Sequence, residues 1–423
     1  MNQAAHAPPR PRLPFGVPVP QDILDIDDKQ RSNPLPWRGQ FSPQLVDALL
    51  SSYACPGATV LDPFVGSGTV VGEGARLGFR AVGVEVNPAA FLLARIYGLM
   101  NIAPNERRLL VQRVETRLRD ITFAPLPLFG GPLNGTDDDE DVSTELVGVA
   151  KSESDPHVAA LLCGLIVLLD IHPGRRLTRV QVRERWKTLR DFASTLETAL
   201  QPAALFLGDA RRIPLDDDTV DFVLTSPPYI NVFNYHQNYR ASTEALGWAP
   251  LGAARLEIGS NRKFRQNRFL TVAQYCLDMM LVLRDLARVC RLDARLILVV
   301  GRESNVRKTQ FYNGKLVASI ARSSGQFEIV QEQERAFVNK FGSRIFEDIL
   351  HLVPTHCASE APSRQTQLAA AREVARAAYE AARERAPKEA QPDLIAALEA
   401  IASVEPSAEL DLNGLRPTLN NGD

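Results

Sequence analysis

The sequence predicts an α/β fold built on a doubly wound, mostly parallel sheet. Short apolar segments at residues 58–62 and 80–86 are each followed by a helical pattern, an alternation typical of parallel strands joined by helices. The pattern stops near residue 104 and resumes with two more apolar segments at 205–209 and 220–225. This interruption predicts one sheet whose two halves are separated in sequence by a long insertion.

Five segments follow from these patterns. They are a flexible tail at residues 1–30, the first half of the α/β domain at 31–103, a mostly helical insertion at 104–203, the second half of the domain at 204–356, and a helical or disordered extension at 357–423. The tail is expected because its residues are rich in Pro and Arg. The first helix of the domain is expected after Ser42, which would be its N-cap, with Pro43 as its first residue.

The end of the sheet and the extension behind it have their own signals. Residues 327–337 and 344–353 predict an antiparallel hairpin that closes the sheet around a polar turn. In the extension, Leu368, Ala371 and Ala375 follow helical spacing. We expect this helix to be exposed or to make the contact of a dimer.

Composition narrows the class of protein. The formal net charge is −2, so no overall positive field attracts nucleic acid, and such a partner would depend on local patches. The five cysteines are scattered without a CxxC pair, which argues against a zinc site or a disulfide framework and favours a reducing cytoplasm. The longest apolar run, residues 158–169, is shorter than the ~20 residues that span a bilayer. We therefore expect a cytoplasmic protein with no metal and no membrane partner.

The first functional motif is the turn Asp62-Pro63-Phe64-Val65-Gly66-Ser67-Gly68-Thr69, which follows a predicted strand. Glycines in such a turn let the backbone approach a bound nucleoside, and the next helix presents its N-terminus there. Glu85 ends the following strand, where a doubly wound fold places a carboxylate for ribose hydroxyls. Val71 stands where a dinucleotide site has its third glycine. The turn therefore predicts a nucleoside site that is not an NAD site; the alternative is a tight connection without a ligand.

The second motif is Thr225-Ser226-Pro227-Pro228-Tyr229, at the carboxyl end of another predicted strand, where ligands bind in such sheets. Two successive prolines lack N–H groups and fix the turn, so nearby carbonyls stay free to accept hydrogen bonds. Ser226 adds an acceptor, and Tyr229 offers an aromatic face for stacking on a base. Two acceptors would draw an exocyclic NH2 group towards tetrahedral geometry and direct its lone pair at a methyl donor. The motif predicts methylation of a base amino group; the alternative is a surface Pro-Pro turn.

Together the two motifs resemble those of the amino-DNA methyltransferases, which make N4-methylcytosine or N6-methyladenine. The likeness extends to Trp37-Arg38-Gly39-Gln40-Phe41-Ser42-Pro43, to Val82-Gly83-Val84-Glu85-Val86-Asn87-Pro88 and to Gly208-Asp209-Ala210, and it covers roughly residues 35–100 and 205–355. It implies a Rossmann-like sheet of seven strands and S-adenosylmethionine as cofactor. It also implies double-stranded DNA as substrate, with the target base flipped out of the helix.

The resemblance implies a role for each matching position of the first motif. Cofactor contacts are implied for Phe41, Ser42, Asp62, Phe64, Gly66, Ser67, Gly68, Thr69, Glu85 and Asp209. Glu85 would hold the ribose hydroxyls and Asp209 the adenine amino group. Phe41 and Ser42 would lie beside the methionine end of the cofactor.

Catalytic contacts are implied for Ser226, Pro227, Pro228 and Tyr229. Ser226 and the carbonyl of Pro227 would hold the target nitrogen, and Tyr229 would stack on the extruded base. Serine at position 226, in place of Asp or Asn, favours cytosine N4 over adenine N6, although adenine stays open. Many members that make N4-methylcytosine carry the two motifs in the opposite order, and this chain has about one hundred residues inserted between Glu85 and Asp209.

Two basic segments are candidates for contact with nucleic acid. Between residues 175 and 191, seven Arg and Lys residues oppose two acidic ones, and between 255 and 268 five oppose one. The residues proposed for phosphate contact are Arg175, Arg176, Arg179, Arg183, Arg262, Lys263, Arg265 and Arg268. The alternative for each segment is a solvated charged face. The aromatic residues Tyr235 and Tyr239 near His236 are interpreted as packing of the next helix and are left out of the catalytic set.

Three functions fit these observations. The favoured one is a site-specific DNA amino-methyltransferase, with a cognate restriction endonuclease as a further expected partner. The second is an RNA methyltransferase acting on guanine N2, although such enzymes usually have Asp where this chain has Ser226. The third is an inactive methyltransferase fold that only binds nucleic acid, and the complete cofactor and catalytic motifs argue against it.

Overall fold

A seven-stranded sheet lies at the centre of the described chain, which in this computed structural model comprises residues 12–14, 16–26, 31–122, 140–230, 235–260, 264–339, 342–356, 360–408 and 415. The strands of the sheet are β1 (Thr59–Asp62), β2 (Arg80–Glu85), β3 (Ala203–Leu207), β4 (Val220–Thr225), β5 (Cys290–Gly301), β8 (Phe327–Val338) and β9 (Arg344–Pro354), while β6 (Glu303–Val306) and β7 (Thr309–Tyr312) form a separate antiparallel pair. The spatial order is β3-β2-β1-β4-β5-β9-β8. Neighbours from β3 to β5 are parallel, and β9 is antiparallel to both β5 and β8. The predicted Rossmann-like sheet with an antiparallel closing hairpin is confirmed.

Helices surround this sheet. They are α1 (Gln21–Asp25), α2 (Pro43–Tyr53), α3 (Thr69–Arg76), α4 (Pro88–Ala94), α5 (Pro104–Thr122), α6 (Ser143–Ser152), α7 (Pro156–Leu169), α8 (Arg179–Thr195), α9 (Arg240–Ala245), α10 (Pro250–Ala253), α11 (Leu270–Val289), α12 (Asn313–Ser323), α13 (Arg364–Ala382) and α14 (Gln391–Ala400). Ser42 lies at the N-cap position of α2 with Pro43 as the first helical residue, as the sequence predicts. Asn87 caps α4 through its side chain, which accepts from the backbone N–H groups of Ala89 and Ala90.

The order of the strands creates a switch point between β1 and β4. From β1 the chain moves outward in one direction to β2 and β3, and it then returns to build β4 and β5 on the other side. Helices that leave β1 and β4 therefore diverge, which opens a crevice at the carboxyl ends of these two strands. Both predicted motifs begin at this edge, at Asp62 and Thr225.

The insertion between β2 and β3 is helical in its described part. Helices α5, α6 and α8 pack against α7, whose sequence is apolar on nearly all sides because it is enclosed by these neighbours. Asp155 caps α7 by accepting from the backbone of His157 and Val158. The insertion thus has its own apolar core, and that core continues into the residues that follow β2.

Residues 16–26 correct the expectation of a flexible tail over residues 1–30. Val19 and Leu24 are buried, and α1 lies along β8, where Gln21 donates to the carbonyl of Glu334 and Asp25 accepts from the backbone of Ala336. This segment covers the edge strand of the sheet, and the contacts of Gln21 and Asp25 reduce the number of unpaired backbone groups there.

Helix α13 corrects the expectation of an exposed or dimer-forming helix in the extension. Its apolar stripe, which includes Leu368, Ala371 and Ala375, is buried against α11 and α12 of the same chain. Tyr379 continues the stripe, and its hydroxyl donates to the carbonyl of Phe269. The small alanine side chains allow the close approach to α11, so the face proposed for a dimer is already used within the chain.

Two features are absent from the described residues. No helix there combines the length and the apolar character needed to cross a bilayer. No group of His, Cys, Asp and Glu side chains within the same residues has the arrangement of a metal site.

Candidate active site

A pocket opens at the carboxyl ends of β1, β2, β3 and β4. Its described lining consists of Trp37, Arg38, Gly39, Gln40, Phe41, Asp62, Pro63, Phe64, Val65, Gly66, Ser67, Thr69, Glu85, Val86, Asn87, Gly208, Asp209, Ala210, Ser226, Pro228, Tyr235, Leu256, Glu257 and Ile258. All the residues predicted for the cofactor lie in this lining except Ser42 and Gly68. The fold thus brings together segments that are separated by as much as two hundred residues in sequence.

The glycine turn after β1 shapes one wall of the pocket. Gly66 and Gly68 have φ angles of 54° and 96°, a region that favours glycine. Gly66 donates its backbone N–H to Glu85 Oε2 at 2.8 Å. A Cβ at Gly68 would lie 2.7 Å from the ring of Tyr97, so this glycine is needed for packing at the start of α3. Gly68 therefore contributes to the turn by allowing Tyr97 to pack against it.

Glu85 ends β2 with both carboxylate oxygens fixed by backbone donors. Oε2 accepts from Gly66, and Oε1 accepts from the N–H of Asn87 at 2.7 Å. Burial, with a smaller contribution from the nearby carboxylate of Asp62, raises the pKa of Glu85 from 4.5 to about 7. Each oxygen keeps an additional lone pair, so the group can accept hydrogen bonds from a vicinal diol in the pocket.

Asp62 joins the cofactor turn to the catalytic strand. Its Oδ1 accepts from the hydroxyl of Thr225 at 2.6 Å and from the backbone N–H of Phe64 at 3.0 Å. Burial raises the pKa of Asp62 from 3.8 to about 7. The predicted cofactor residue therefore also has a structural part, because it fixes the end of β1 against the end of β4.

Asp209 follows β3 and is held by Arg211. The Nε of Arg211 donates to Asp209 Oδ1 at 3.0 Å, and Nη2 donates to Oδ2 at 2.6 Å. This two-point ion pair fixes the plane of the carboxylate at the pocket wall. Asp209 and Glu85 thus place two carboxylates at neighbouring strand ends, with Val86 among the apolar residues of the same lining.

The catalytic turn is only partly exposed to the pocket. Ser226 and Pro228 belong to the lining described above, whereas Pro227 and Tyr229 do not. The ring of Tyr229 lies on Gly301, where an added Cβ would be 2.6 Å from Cε2. Its hydroxyl lies 3.5 Å from Ser226 Oγ and donates to Glu347 Oε1 at 3.4 Å. Burial raises the pKa of Tyr229, so this hydroxyl is protonated at neutral pH.

An aromatic wall was not assigned a function from the sequence. Trp37 and Tyr235 both line the pocket and stack nearly parallel, with ring centroids 6.5 Å apart and an interplanar angle of 14°. The ring of Tyr239 also stacks on Trp37, with ring centroids 6.2 Å apart. Trp37 could have been found from the sequence, because it begins the segment before the glycine turn that resembles the methyltransferase family. Its partner could not be found without the fold, since the two residues are far apart in the chain.

A buried pair between His236 and Glu257 was also missed. The backbone N–H of His236 donates to Glu257 Oε1 at 2.5 Å, and its Nδ1 lies 2.7 Å from Oε2. Glu257 lines the pocket, and the pair fixes the segment after the catalytic turn against the basic segment that follows. No spacing rule connects these two residues, so sequence analysis had no basis for pairing them.

The basic segment of the insertion divides into two groups. Arg179 is buried, and its guanidinium donates to the carbonyls of Asp120 and Ile121 and to Glu140. Arg183 donates to the carbonyl of Thr122 at 2.5 Å. These carbonyls end α5 and would otherwise lack partners. The expectation that Arg179 contacts nucleic acid is therefore wrong, and Arg183 shares the same structural task.

The remaining basic candidates differ in their surroundings. Arg175 and Arg176 are exposed before α8, and Arg265 and Arg268 are exposed before α11. Arg262 and Lys263 lie outside the described residues. The two exposed pairs remain candidates for phosphate contact.

The sheet order, the closing hairpin and a pocket at the switch point place the chain in the Rossmann-like fold class that methyltransferases share. Residues 18–95 match the sequence model of a family described as DNA methylase. This segment contains the cofactor motif, and the match confirms the resemblance to amino-DNA methyltransferases that the motifs indicate.

One curated relative and two solved structures illustrate the similarity. The type II methyltransferase M.MjaII of Methanocaldococcus jannaschii is 31% identical over 75 residues, which cover 17% of this chain and only 14% of that protein. An S-adenosylmethionine-dependent methyltransferase from Methanosarcina mazei aligns at 12% identity with a TM-score of 0.33 over 72% of this chain and 95% of that one. The rRNA methyltransferase aviRa from Streptomyces viridochromogenes aligns at 15% identity with a TM-score of 0.32, covering 80% of this chain and 96% of that one.

Proposed function

We propose that the protein transfers a methyl group from S-adenosylmethionine to an exocyclic amino group of a DNA base. One observation carries the proposal: Ser226 of the Ser-Pro-Pro-Tyr turn faces the same pocket as the carboxylates of Glu85 and Asp209. The family match over residues 18–95 supports the same reaction class and S-adenosylmethionine as the cofactor.

The residues of the pocket fit this cofactor. Glu85 would accept the ribose hydroxyls, because its two oxygens are fixed by backbone donors and keep free lone pairs. Asp209 would accept the adenine amino group, with Val86 and Leu256 as apolar contacts of the ring. Phe41 lines the same pocket and would lie beside the methionine end.

Two of the implied cofactor residues have an indirect part. Ser42 lies at the start of α2, and its hydroxyl has no hydrogen-bond partner among the described residues. Gly68 allows Tyr97 to pack behind the turn. We propose that the direct contacts come from Phe64, Gly66 and their neighbours Ser67 and Thr69, which line the pocket.

The catalytic turn would act by orienting the amino group. Bound S-adenosylmethionine supplies a methyl group on a positively charged sulfur. Ser226 Oγ and the carbonyl of Pro227 would accept the two hydrogens of the amino group, so that its lone pair points into the pocket. Pro227 and Pro228 have no N–H that could compete for these acceptors, and they fix the turn. Orientation of the amino group is thus the contribution of the chain itself.

The target base would have to leave the helix to reach this turn. Tyr229 remains the aromatic residue that we propose for stacking, and its position is fixed on one side by Gly301 and by its hydroxyl at Glu347. Tyr235 would be a second aromatic contact, because it lines the same pocket as Ser226. Serine at position 226 favours cytosine N4 over adenine N6 as the methylated position.

Phosphate contacts would come from exposed arginines. We propose Arg265 and Arg268, which follow Glu257 of the pocket wall closely in sequence, and Arg175 and Arg176 of the insertion. These contacts would position the DNA without reading its sequence.

The test is single-molecule sequencing of DNA from bacteria that express the protein. New N4-methylcytosine at a defined sequence is expected, and it should disappear in Ser226→Ala but persist in Ser152→Ala, a matched change on the exposed face of α6. N6-methyladenine at a defined sequence would keep the reaction class and change the base. Unmodified DNA together with labelled methyl groups in RNA would overturn the proposal in favour of an RNA substrate.

A further inference from the structure

The guanidinium of Arg211 connects the pocket to the C-terminal segment. Besides its hydrogen bonds to Asp209, Arg211 donates through Nη1 to Asp278 Oδ1 and to the carbonyl of Ser407, each at 2.9 Å. Its Nη2 donates to the carbonyl of Ala408 at 2.8 Å. The five N–H groups of the guanidinium thus each have an acceptor, although the side chain is only 7% exposed.

Asp278 fixes the other side of this arrangement. It lies fully buried on α11, where Oδ1 accepts from the backbone N–H of Ser407 at 2.8 Å and Oδ2 accepts from its hydroxyl at 2.7 Å. Ser407 therefore contributes two donors to Asp278 and one acceptor to Arg211. Gln274, one turn earlier on α11, donates to the carbonyl of Glu405 and holds the same segment.

Leu415, further along the C-terminal segment, packs against residues of the pocket wall. Leu415 is buried against Ala253 and Leu256, with Val86 packed at the edge of the cluster. Its carbonyl accepts from the backbone N–H of Ala249 at 3.2 Å. Val86 and Leu256 are both residues of the pocket lining, so this contact supports the pocket wall from outside.

We propose that residues 404–408 and Leu415 support the wall of the cofactor pocket from behind, and that Arg211, Asp278 and Ser407 are positioning residues for Asp209. This inference rests on the proposed function, in which Asp209 recognises the adenine amino group. A buried guanidinium without acceptors for all its donors is destabilised, and it would move to find others. The carbonyls of Ser407 and Ala408 accept from the N–H groups of Arg211 that do not bond to Asp209. These contacts keep the guanidinium of Arg211 aligned with the carboxylate of Asp209.

The sequence alone gives no reason to expect this contact. Residues 357–423 lie after the last strand and outside the segments that resemble the methyltransferase family. They read as an extension with no part in the site. In the hydrogen-bond network described above, residues of this extension help to orient Asp209 through Arg211.

The test compares two ligands whose bases differ at N1, which gains a hydrogen in the analogue, and at the adenine amino group. Binding of S-adenosylhomocysteine and of S-inosylhomocysteine, in which that group is replaced by oxygen, is measured by calorimetry on the full chain. The wild-type protein should prefer the amino form by about tenfold or more, because a site built to bond a substrate group rejects the analogue that lacks it. In Asp278→Asn and Ser407→Ala this preference should fall, by about tenfold and about threefold respectively.

The ratio of the two affinities separates positioning from a general loss of fold. Ser403→Ala, a matched change at a serine whose hydroxyl donates to the carbonyl of Ala400, should leave the ratio unchanged. If Asp278→Asn does not fold, Ser407→Ala decides. An unchanged ratio in a folded variant would overturn this inference, whereas failure of the wild-type protein to bind either ligand would overturn the proposed function itself.

Discussion

The hydroxyl of Thr225 donates a hydrogen bond of 2.6 Å to Asp62 across the boundary between β4 and β1. Thr225 directly precedes Ser226, and Asp62 directly precedes the glycine turn. The bond therefore sets the distance between the residues proposed for the target amino group and those proposed for the cofactor. Methyl transfer in a fixed geometry depends on such a distance, because small displacements of the reacting atoms reduce the rate strongly.

Thr225→Val should lower both stability and turnover. The change keeps the shape of the side chain but leaves the buried carboxyl of Asp62 without this donor, which should cost about 1–3 kcal/mol in the free energy of unfolding. Urea denaturation and a methylation assay measure the two effects. Thr225→Ser, which retains a hydroxyl, should recover most of the loss, and Thr188→Val on the exposed face of α8 should have little effect. Equal behaviour of the valine and serine variants would contradict this account.

Cofactor affinity should rise with pH through about 7. Burial raises the pKa of Glu85 from 4.5 to about 7, so the empty site is protonated below this value and ionised above it. The ionised form offers more acceptors to the ribose hydroxyls, and affinity for S-adenosylhomocysteine should increase about tenfold between pH 6 and pH 8 and then level off.

Two variants test the origin of this pH dependence. Glu85→Gln should bind more weakly and lose the rise with pH. Asp62→Asn should move the midpoint to lower pH, because the carboxylate of Asp62 raises the pKa of Glu85. A pH profile that is the same in the wild-type protein and in Glu85→Gln would assign the titration to another group.

Gly301→Ala should impair catalysis more than cofactor binding. A Cβ at this position would lie 2.6 Å from Tyr229 Cε2, so the ring has to move away from Gly301. We expect the methylation rate to fall by about tenfold or more while the affinity for S-adenosylhomocysteine stays within about twofold. In Gly148→Ala, where a Cβ would meet no described atom within 4 Å, both quantities should be unchanged. A fall in cofactor affinity equal to the fall in rate would show that the pocket, and not Tyr229, was disturbed.

The basic residues should separate into structural and DNA-binding groups. Arg179→Ala should lower the free energy of unfolding by about 1.5–3 kcal/mol, because its buried guanidinium holds the last carbonyls of α5. Arg265→Ala and Arg268→Ala should leave stability nearly unchanged and reduce the slope of log affinity for DNA against log salt by about one each. Thermal unfolding and binding titrations at several salt concentrations measure these effects. An unchanged salt slope in the double variant would remove Arg265 and Arg268 from the DNA surface.

Local motifs were the part of the site that could be predicted from the sequence. The glycine turn after β1 and the Ser-Pro-Pro-Tyr turn after β4 depend on residues that are close in the chain, and their chemistry follows from the missing Cβ or missing N–H of those residues. Parallel strands end at the same edge, so the meeting of Glu85, Asp209 and Ser226 also follows once the strand order is known. The two turns therefore predicted the location of the pocket.

Contacts between distant segments could not be predicted in the same way. Trp37 stacks on Tyr235, His236 bonds Glu257, and both pairs join segments without a shared periodicity. Arg179 shows the opposite difficulty. Its place in a basic segment predicts a surface residue, but its guanidinium donates to carbonyls at the end of α5. Charge alone does not tell a phosphate contact from a cap.

By itself the sequence determined the α/β fold and the positions of the glycine turn and the Ser-Pro-Pro-Tyr turn, and it predicted the class of reaction that these turns favour. The reason is that these features depend on strand periodicity and on short-range backbone constraints. Only the tertiary structure decided which side chains complete the pocket. It buried the stripe of α13 against α11, and it brought Ser407 to Arg211 from nearly two hundred residues away. The physical reason is that burial creates donors and acceptors that must be satisfied within the fold, and the partner that satisfies each one is set by three-dimensional packing.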